Sequence, residues 1–203
     1  MSIRDSVDNH SPKTRPLETI SAGTLGVLLF LAALTVLFGA TIAGYLFVRS
    51  QAPTWPPPGS PAVPMASLWL STLLILLISG TSHWALRSIR WGRDRRLRLA
   101  LVLTIVLAVL FLANQARNWQ NVRATIVPVG SHAQTYAAVF YLLTGTHALH
   151  VVGGLVLLAI VTRKAFRGDY TSAYHAGVRY NAMYWHFLDG VWLMMFGTMF
   201  LFG

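Results

Sequence analysis

The fold of this chain follows from two apolar segments, Phe140-Tyr-Leu-Leu-Thr-Gly-Thr-His-Ala-Leu-His-Val-Val-Gly-Gly154 and Tyr184-Trp-His-Phe-Leu-Asp-Gly-Val-Trp-Leu-Met-Met-Phe196. Both belong to apolar runs that are long enough to cross a membrane. An ionisable side chain at membrane depth costs about 2.5–3.5 kcal/mol, so it rarely lies there without a partner or a function. The two segments nevertheless contain four such residues, which any account of function must explain: His147, His150, His186 and Asp189.

The composition places the chain among integral membrane proteins. Of its 203 residues, 55% are hydrophobic and only 11% are charged, and the mean hydropathy is +0.55. A soluble domain of this size could not bury so much apolar surface. Cysteine is absent, which excludes disulfides, thiolate metal sites and a cysteine nucleophile.

Five apolar runs predict an all-α fold, a bundle of five transmembrane helices. The predicted spans are residues 25–48, 68–86, 99–116, 136–161 and 183–202. Residues 1–22 are polar and contain two prolines, which predicts a mobile N-terminal tail before the membrane domain of residues 23–203. Residues 117–135 contain Pro128 and Gly130, residue types typical of loops, so this segment is predicted to be a loop.

The distribution of basic residues predicts the orientation of the bundle. Of the 16 lysines and arginines, three lie in the tail, six follow the second span and four follow the fourth, which leaves three on the opposite side. Basic residues are enriched in cytoplasmic segments. The N-terminus is therefore predicted to be cytoplasmic and the C-terminus external.

An arginine run between spans two and three could indicate a nucleic-acid site or a membrane-surface anchor. It lies within a turn or two of two spans, where each basic side chain gains about 1 kcal/mol from anionic lipid. We therefore interpret it as a topology signal that contacts lipid headgroups, and we expect no nucleic-acid partner. The run consists of Arg87, Arg90, Arg93, Arg95, Arg96 and Arg98.

Helical spacing predicts one inward-facing stripe on each of the last two spans. On span four the stripe is Phe140, Leu143, His147, His150, Gly154, Leu157 and Val161. On span five it is Trp185, Asp189, Trp192 and Phe196, with His186 on the adjoining edge. Gly153 and Gly154 are predicted to allow close approach of a neighbouring helix. Asp189 is predicted to bond to His150 or to a donor on another helix.

Three functions are compatible with these polar residues. Two histidines could ligate a b-type haem, which requires imidazoles from facing helices at matched depth; His83 with His186 is the one cross-helix pair that qualifies. Asp189 and the histidines could form a proton path, although the spans offer a single carboxylate. Alternatively, the polar residues hold the bundle together and dock it on a larger membrane partner, and the sequence favours this third interpretation.

The two segments resemble motifs of a known family. Thr144–Gly154 is similar to the T-G-x-H-x-x-H-V-x-x-G motif of subunit III of haem–copper oxidases, and Tyr184–Trp192 is similar to that family's Y-W-H-F-x-D-x-V-W motif. They occur in the same order, about 40 residues apart, and weaker similarity extends back to Gly26. On these motifs the sequence is identified as a member of the family, in its short five-helix bacterial form.

The resemblance implies a non-catalytic, multi-pass subunit of a cytochrome c or quinol oxidase in a prokaryotic cytoplasmic (inner) membrane. It implies haem and copper in partner subunits and none in this chain, contacts with the large haem-bearing subunit I and with subunit II, bound phospholipid, and a supporting role in proton uptake. The motif residues that carry over as structural or interface positions are Thr144, Gly145, His147, His150, Val151, Gly154, Trp185, His186, Asp189 and Trp192.

Two departures from the family pattern leave alternatives open. Many members carry a glutamate in the first shared helix, in a run such as F-L-A-S-E, where this chain has Phe30-Leu-Ala-Ala-Leu34. An acidic residue also tends to precede the tryptophan that ends the third span, where this chain has Asn118. A subunit-III-like accessory protein of a nitric oxide reductase is therefore an alternative, as is an independent haem-binding or transport protein.

Overall fold

A computed structural model describes residues 21–60, 65–123 and 132–202, and every regular element within these ranges is an α-helix. The helices are α1 (Ala22–Gln51), α2 (Met65–Arg90), α3 (Asp94–Arg123), α4 (His132–Arg167) and α5 (Ala176–Phe202). Each extends beyond its predicted span, because a helix can continue through the interfacial region once it leaves the hydrocarbon. The predicted mobile tail lies outside the described residues except for Ser21 and Ala22, and Ala22 already belongs to α1.

Among the described residues, α1 to α4 are long and apolar enough to cross a membrane by length and composition. α5 has 27 residues, and its tryptophans, tyrosines, His186 and Asp189 lower its hydropathy. Its place in the membrane therefore depends on the bundle, because Trp185, Asp189 and Trp192 are buried against other helices. The expected five-helix, all-α membrane fold is confirmed.

The loop predicted over residues 117–135 is wrong at both ends. α3 continues to Arg123 and α4 already begins at His132. The added turn of α3 is held by two hydrogen bonds to α4: Trp119 Nε1 donates to Thr144 Oγ1 at 3.0 Å, and the Tyr141 hydroxyl donates to the Trp119 carbonyl at 2.9 Å. Tertiary hydrogen bonds thus extend helices that local composition would end.

α4 and α5 each pack against three other helices. α4 packs against α1, α3 and α5, while α5 packs against α1, α2 and α4. α1 contributes only Leu34, Phe38 and Tyr45 to the buried core, so most of its apolar surface faces outward. Such a surface suits a membrane, where an apolar side chain can face lipid without cost.

The inward stripe predicted on α4 is correct apart from one position in its second half. Leu157 is 47% exposed, whereas Leu158 is fully buried. From Gly154 the buried face continues with a step of four residues rather than three. A helix with 3.6 residues per turn allows either step, and packing selects Leu158. The stripe predicted on α5 is buried at all four of its positions.

A polar cluster joins the beginnings of α1 and α5. Arg179 Nη2 donates to Thr24 Oγ1 at 3.0 Å, and Thr24 Oγ1 lies 3.3 Å from the Tyr180 hydroxyl and 2.8 Å from Ser21 Oγ. The first and fifth helices therefore start at the same end of the bundle. This arrangement is the one expected of a chain that crosses the membrane five times.

Candidate functional site

The two sequence motifs meet in one close contact between α4 and α5. A Cβ atom placed on Gly154 would lie 2.8 Å from Cε1 of Tyr184 and 3.3 Å from Cζ2 of Trp185. The Tyr184 hydroxyl donates a hydrogen bond of 2.9 Å to the His150 carbonyl. Glycine is thus required at position 154 because two aromatic rings occupy the space of a side chain. Gly153, by contrast, is exposed.

Trp192 links α5 to three other helices. Its Nε1 donates to Thr72 Oγ1 on α2 at 3.1 Å. Its ring centroid is 5.0 Å from that of Phe111 on α3 and 5.4 Å from that of His147 on α4. Aromatic pairs at these separations stabilise a fold beyond the burial of their area. Trp192 is therefore the central packing residue of the second motif.

His147 is enclosed by aromatic rings. Its side chain is fully buried, and the rings of Phe38, Phe111 and Trp192 surround it with centroids at 6.2, 5.7 and 5.4 Å. Neither ring nitrogen has a hydrogen-bond partner among the described residues. In this arrangement His147 acts as a packed aromatic ring that joins α1, α3, α4 and α5.

The predicted alternative of a hydrogen bond between His150 and Asp189 is wrong. His150 Nδ1 bonds to the Thr146 carbonyl at 2.7 Å, and its ring lies 5.2 Å from that of Phe38 on α1. The rotation of α4 therefore directs His150 towards α1 rather than towards the α5 carboxylate. The other predicted partner of Asp189, a donor on a neighbouring helix, stays a prediction.

The Ser79 hydroxyl of α2 lies beside Asp189, whose Oδ2 has no hydrogen-bond partner among the described residues. The same hydroxyl lies 2.7 Å from Nδ1 of His186, and the His186 ring centroid is 6.3 Å from that of His83. A row of polar side chains thus runs from α2 to α5 within the predicted spans. Asp189 is buried, whereas His83 and His186, at the other end of this row of side chains, are exposed.

Ser79 was missed by the sequence analysis. A signal was available, because Ser79 lies four residues before His83 and therefore on the same face of α2. A small hydroxyl residue in an apolar helix is uninformative alone, since serine can also bond to its own backbone. Only the position of Asp189 opposite it reveals its role.

The remaining motif residues also have packing roles, with one exception. Thr144 Oγ1 donates to the Phe140 carbonyl at 2.7 Å while it accepts from Trp119, and Val151 is buried. Gly145 is half-buried, and a Cβ atom there would meet nothing within 4 Å. The structure therefore places Gly145 outside the α4–α5 contact.

The six arginines of the basic run do not form one cluster. Arg98 is half-buried, and its Nε donates to the Ala165 carbonyl on α4 at 3.2 Å. The other five are exposed around the α2–α3 turn. Gly92 has φ +63° at this turn, and Arg93 N–H closes α2 on the Ser88 carbonyl at 2.9 Å, as in a common helix C-terminal motif.

No group of three or more histidines or carboxylates lies close enough to hold a metal ion within the described parts of the chain. Leu34 and Asn118, the two departures from the family pattern, are both buried. The fold and this site define a class: a multi-pass α-helical membrane protein in which the motif residues form the contacts between helices.

The chain belongs to the cytochrome c oxidase subunit III family, whose family model matches residues 10–203. Cytochrome c oxidase subunit 3 of Synechocystis sp. is 32% identical over 177 residues, which cover 87% of this chain and 74% of the relative. The Thermostichus vulcanus protein of the same name is 30% identical, over 87% of this chain and 86% of the relative. The Oryctolagus cuniculus protein of that name is 33% identical, over 88% of this chain and 69% of the relative.

This membership identifies the chain as a subunit III of a haem–copper terminal oxidase, which functions in a complex with other oxidase subunits. The relatives are named as oxidase subunits, so the alternative of a nitric oxide reductase accessory protein is not favoured.

Proposed function

We propose that this chain is a non-catalytic subunit that packs against the large haem-bearing subunit I and against subunit II, and that stabilises the catalytic subunit and its proton uptake. The oxidase moves electrons to oxygen and couples this to proton translocation. Haem and copper belong to the partner subunits in this proposal, and none is held here.

The observation that carries the proposal is the use of both family motifs in packing. Gly154 accommodates the rings of Tyr184 and Trp185, and His147 and Trp192 lie in contact in the core. Side chains that could ligate haem thus serve as contacts between helices.

Two exposed polar residues support the proposal that this chain contacts a protein partner. His83 and His186 are exposed on α2 and α5, inside the predicted spans and near the same end. Lipid hydrocarbon cannot satisfy an imidazole, and polar residues in spans usually face protein or water. A second membrane subunit on this face would provide the missing hydrogen-bonding groups.

The test is to purify the tagged chain from its own membrane in mild detergent. We expect a large partner that carries both haem and copper to co-purify with it. A partner with haem but no copper would favour a nitric oxide reductase. A single chain with its own Soret absorption band would contradict the proposal.

The same preparation tests whether this chain holds haem. We expect His147→Ala and His150→Ala to leave the haem content per catalytic subunit unchanged wherever the complex assembles, because neither imidazole serves as a ligand. The Leu149→Ala variant is the matched control, since Leu149 lies between them and is exposed. Stoichiometric loss of haem from an assembled histidine variant would overturn this assignment.

Asp189 is proposed to be a structural acceptor and not a proton carrier. Asp189→Leu leaves the polar groups of its neighbours unsatisfied, at about 1–3 kcal/mol, so we expect this variant to lower retention of the chain in detergent-purified oxidase. Asp189→Asn keeps an acceptor for Ser79 and should be milder, with near-normal turnover. An Asn variant that assembles fully yet loses most proton pumping would place Asp189 in a proton path.

The orientation is also a proposal, with the N-terminus in the cytoplasm of a prokaryote and the C-terminus external. The asymmetry of basic residues supports it, and several relatives are bacterial, although others come from plants and animals. A reporter fused after Gly92 should read cytoplasmic, and reporters near Pro57 or Ser131 should read external. The opposite pattern at these sites would contradict this orientation.

A further inference from the structure

A groove lies between α1 and α5 within the predicted spans. It has a volume of about 300 Å³, and its lining residues include Thr35, Gly39, Ile42, His186, Gly190 and Met194. Gly39 and Gly190 are both exposed, and a Cβ atom on either of them would meet nothing within 4 Å. Neither glycine is required by a close contact inside the described chain, so their effect is to leave the groove open.

Two imidazoles lie at the edge of this groove. His186 lines it, and the ring centroid of His83 on α2 is 6.3 Å from that of His186. Both histidines are exposed, whereas Asp189, one turn further along α5, is buried. The polar surface that the bundle presents here is therefore that of an imidazole pair without a carboxyl group.

One nitrogen of the pair is already engaged inside the chain. Nδ1 of His186 lies 2.7 Å from the Ser79 hydroxyl, which leaves Nε2 as the ring nitrogen available to a partner. Thr35 is the other polar side chain among the described lining residues, and its hydroxyl donates to the Leu31 carbonyl of its own helix at 2.9 Å. The need for an external hydrogen-bonding group is thus concentrated at the histidines, and the rest of the groove is apolar.

This combination fits a transmembrane helix that carries an acidic side chain. Small residues on a membrane helix let a neighbouring backbone approach closely, and ionisable side chains within spans usually face protein or water. A carboxyl group has two oxygens that accept hydrogen bonds from N–H groups, and it also donates one when it is protonated, so a single carboxyl group can serve two neighbouring imidazoles. A lysine or arginine side chain offers no acceptor to them.

We propose that one transmembrane helix of a partner subunit lies in the groove between α1 and α5 and brings a carboxyl group to His186 and His83. The groove receives the apolar side chains of that helix, and the imidazole pair binds its carboxyl group. Since the partner is an oxidase subunit, this assignment rests on the proposed function, to which it adds the face of contact and the chemistry of the partner's side chain.

Filling the groove tests where the partner helix lies. Gly39→Trp places a large side chain in the groove, and we expect it to lower the fraction of the chain that co-purifies with the haem-bearing partner by about tenfold or more. Gly44→Trp is the matched control, because Gly44 is an exposed glycine of the same helix with nothing within 4 Å of its Cβ position, and it does not line the groove. We expect this control to stay within about twofold of the wild type. Should Gly39→Trp not accumulate in the membrane, Gly190→Leu fills the groove from its other wall.

Removing one imidazole tests the carboxyl group. With a partner's carboxyl group in place, His83→Leu leaves that group without its hydrogen bond inside the membrane, so we expect co-purification to fall by about tenfold. His83→Gln keeps a donor and an acceptor and should behave nearly like the wild type. A photoreactive diazirine amino acid at Met194, which lines the groove, then identifies the occupant by mass spectrometry. We expect it to cross-link to a transmembrane segment of the partner that contains an aspartate or a glutamate.

Three results would overturn the proposal. Equal co-purification of the Gly39 and Gly44 variants would show that no helix occupies the groove. Unchanged or higher co-purification of His83→Leu would show that lipid covers the imidazoles. Cross-links to lipid, to a second copy of this chain or to a partner segment without an acidic residue would contradict the assigned occupant. The proposed function fails separately, when the wild-type chain itself does not co-purify with a haem-bearing partner.

Discussion

Replacing Gly154 by valine is expected to separate α4 from α5 and to prevent stable assembly of the chain into the oxidase. The new Cβ would lie 2.8 Å from Cε1 of Tyr184, closer than carbon atoms can approach. Tyr184 cannot easily move away, because its hydroxyl is bonded to the His150 carbonyl at 2.9 Å and its ring stacks on Phe30 with centroids 6.1 Å apart. Overpacking of a buried contact costs about 1–3 kcal/mol, and occasionally more.

Gly153→Val is the matched control for this experiment. A Cβ atom on Gly153 meets only the Tyr184 hydroxyl, at 4.0 Å, and the residue is exposed. We therefore expect the Gly153 variant to assemble like the wild type. The measurement is the fraction of the chain retained with the complex in gel filtration, together with its thermal unfolding temperature. Equal behaviour of the two variants would show that the α4–α5 contact is not as close as described.

Trp192→Ala is expected to have the second large effect, a destabilisation of about 3–5 kcal/mol. The substitution removes the contacts of the indole with Phe111 and His147 and the hydrogen bond to Thr72. It would leave a cavity where four helices meet, which the surrounding rings could fill only in part. Trp192→Phe keeps much of the ring and loses the N–H donor, so it should cost only about 1 kcal/mol.

Leu193→Ala is the control for Trp192, because Leu193 is the next residue and is 42% exposed. Its side chain lies on the exposed side of α5, so its removal should change the unfolding temperature little. The measurement is thermal unfolding of the purified complex, monitored as the loss of this chain from its partner subunit. If Trp192→Ala and Leu193→Ala behaved alike, Trp192 would not be the packing centre of the motif.

Leu34 stands where many members of the family carry a glutamate, and this difference has a structural consequence. The side chain is buried on the face of α1 that packs against α4 and α5, one turn before Phe38, whose ring lies against His147 and His150. A carboxylate at this position would have to be satisfied inside the bundle. Leucine instead continues the apolar packing of Phe38, so this end of the α1–α4 contact is held by hydrophobic and aromatic contacts.

Much of the fold could be predicted from the sequence, because the relevant signals are local. Long apolar runs predict membrane helices from the thickness of the hydrocarbon core alone. The buried stripe of Trp185, Asp189, Trp192 and Phe196 follows from helical periodicity over three turns. The error at Leu157 shows the limit of this reasoning: a step of three and a step of four are equally good helical spacings, and only packing selects Leu158.

The sequence by itself determined the membrane class, the five helices, the family and the residues of the two motifs. The tertiary structure decided which groups meet: Ser79 rather than His150 opposite Asp189, and Gly154 rather than Gly153 beneath the Tyr184 ring. It also placed His186 beside an open groove between α1 and α5. Hydropathy and periodicity are properties of one helix, whereas the choice of partner depends on how each helix is rotated against the others, and that rotation is set by the packing of side chains from distant parts of the chain.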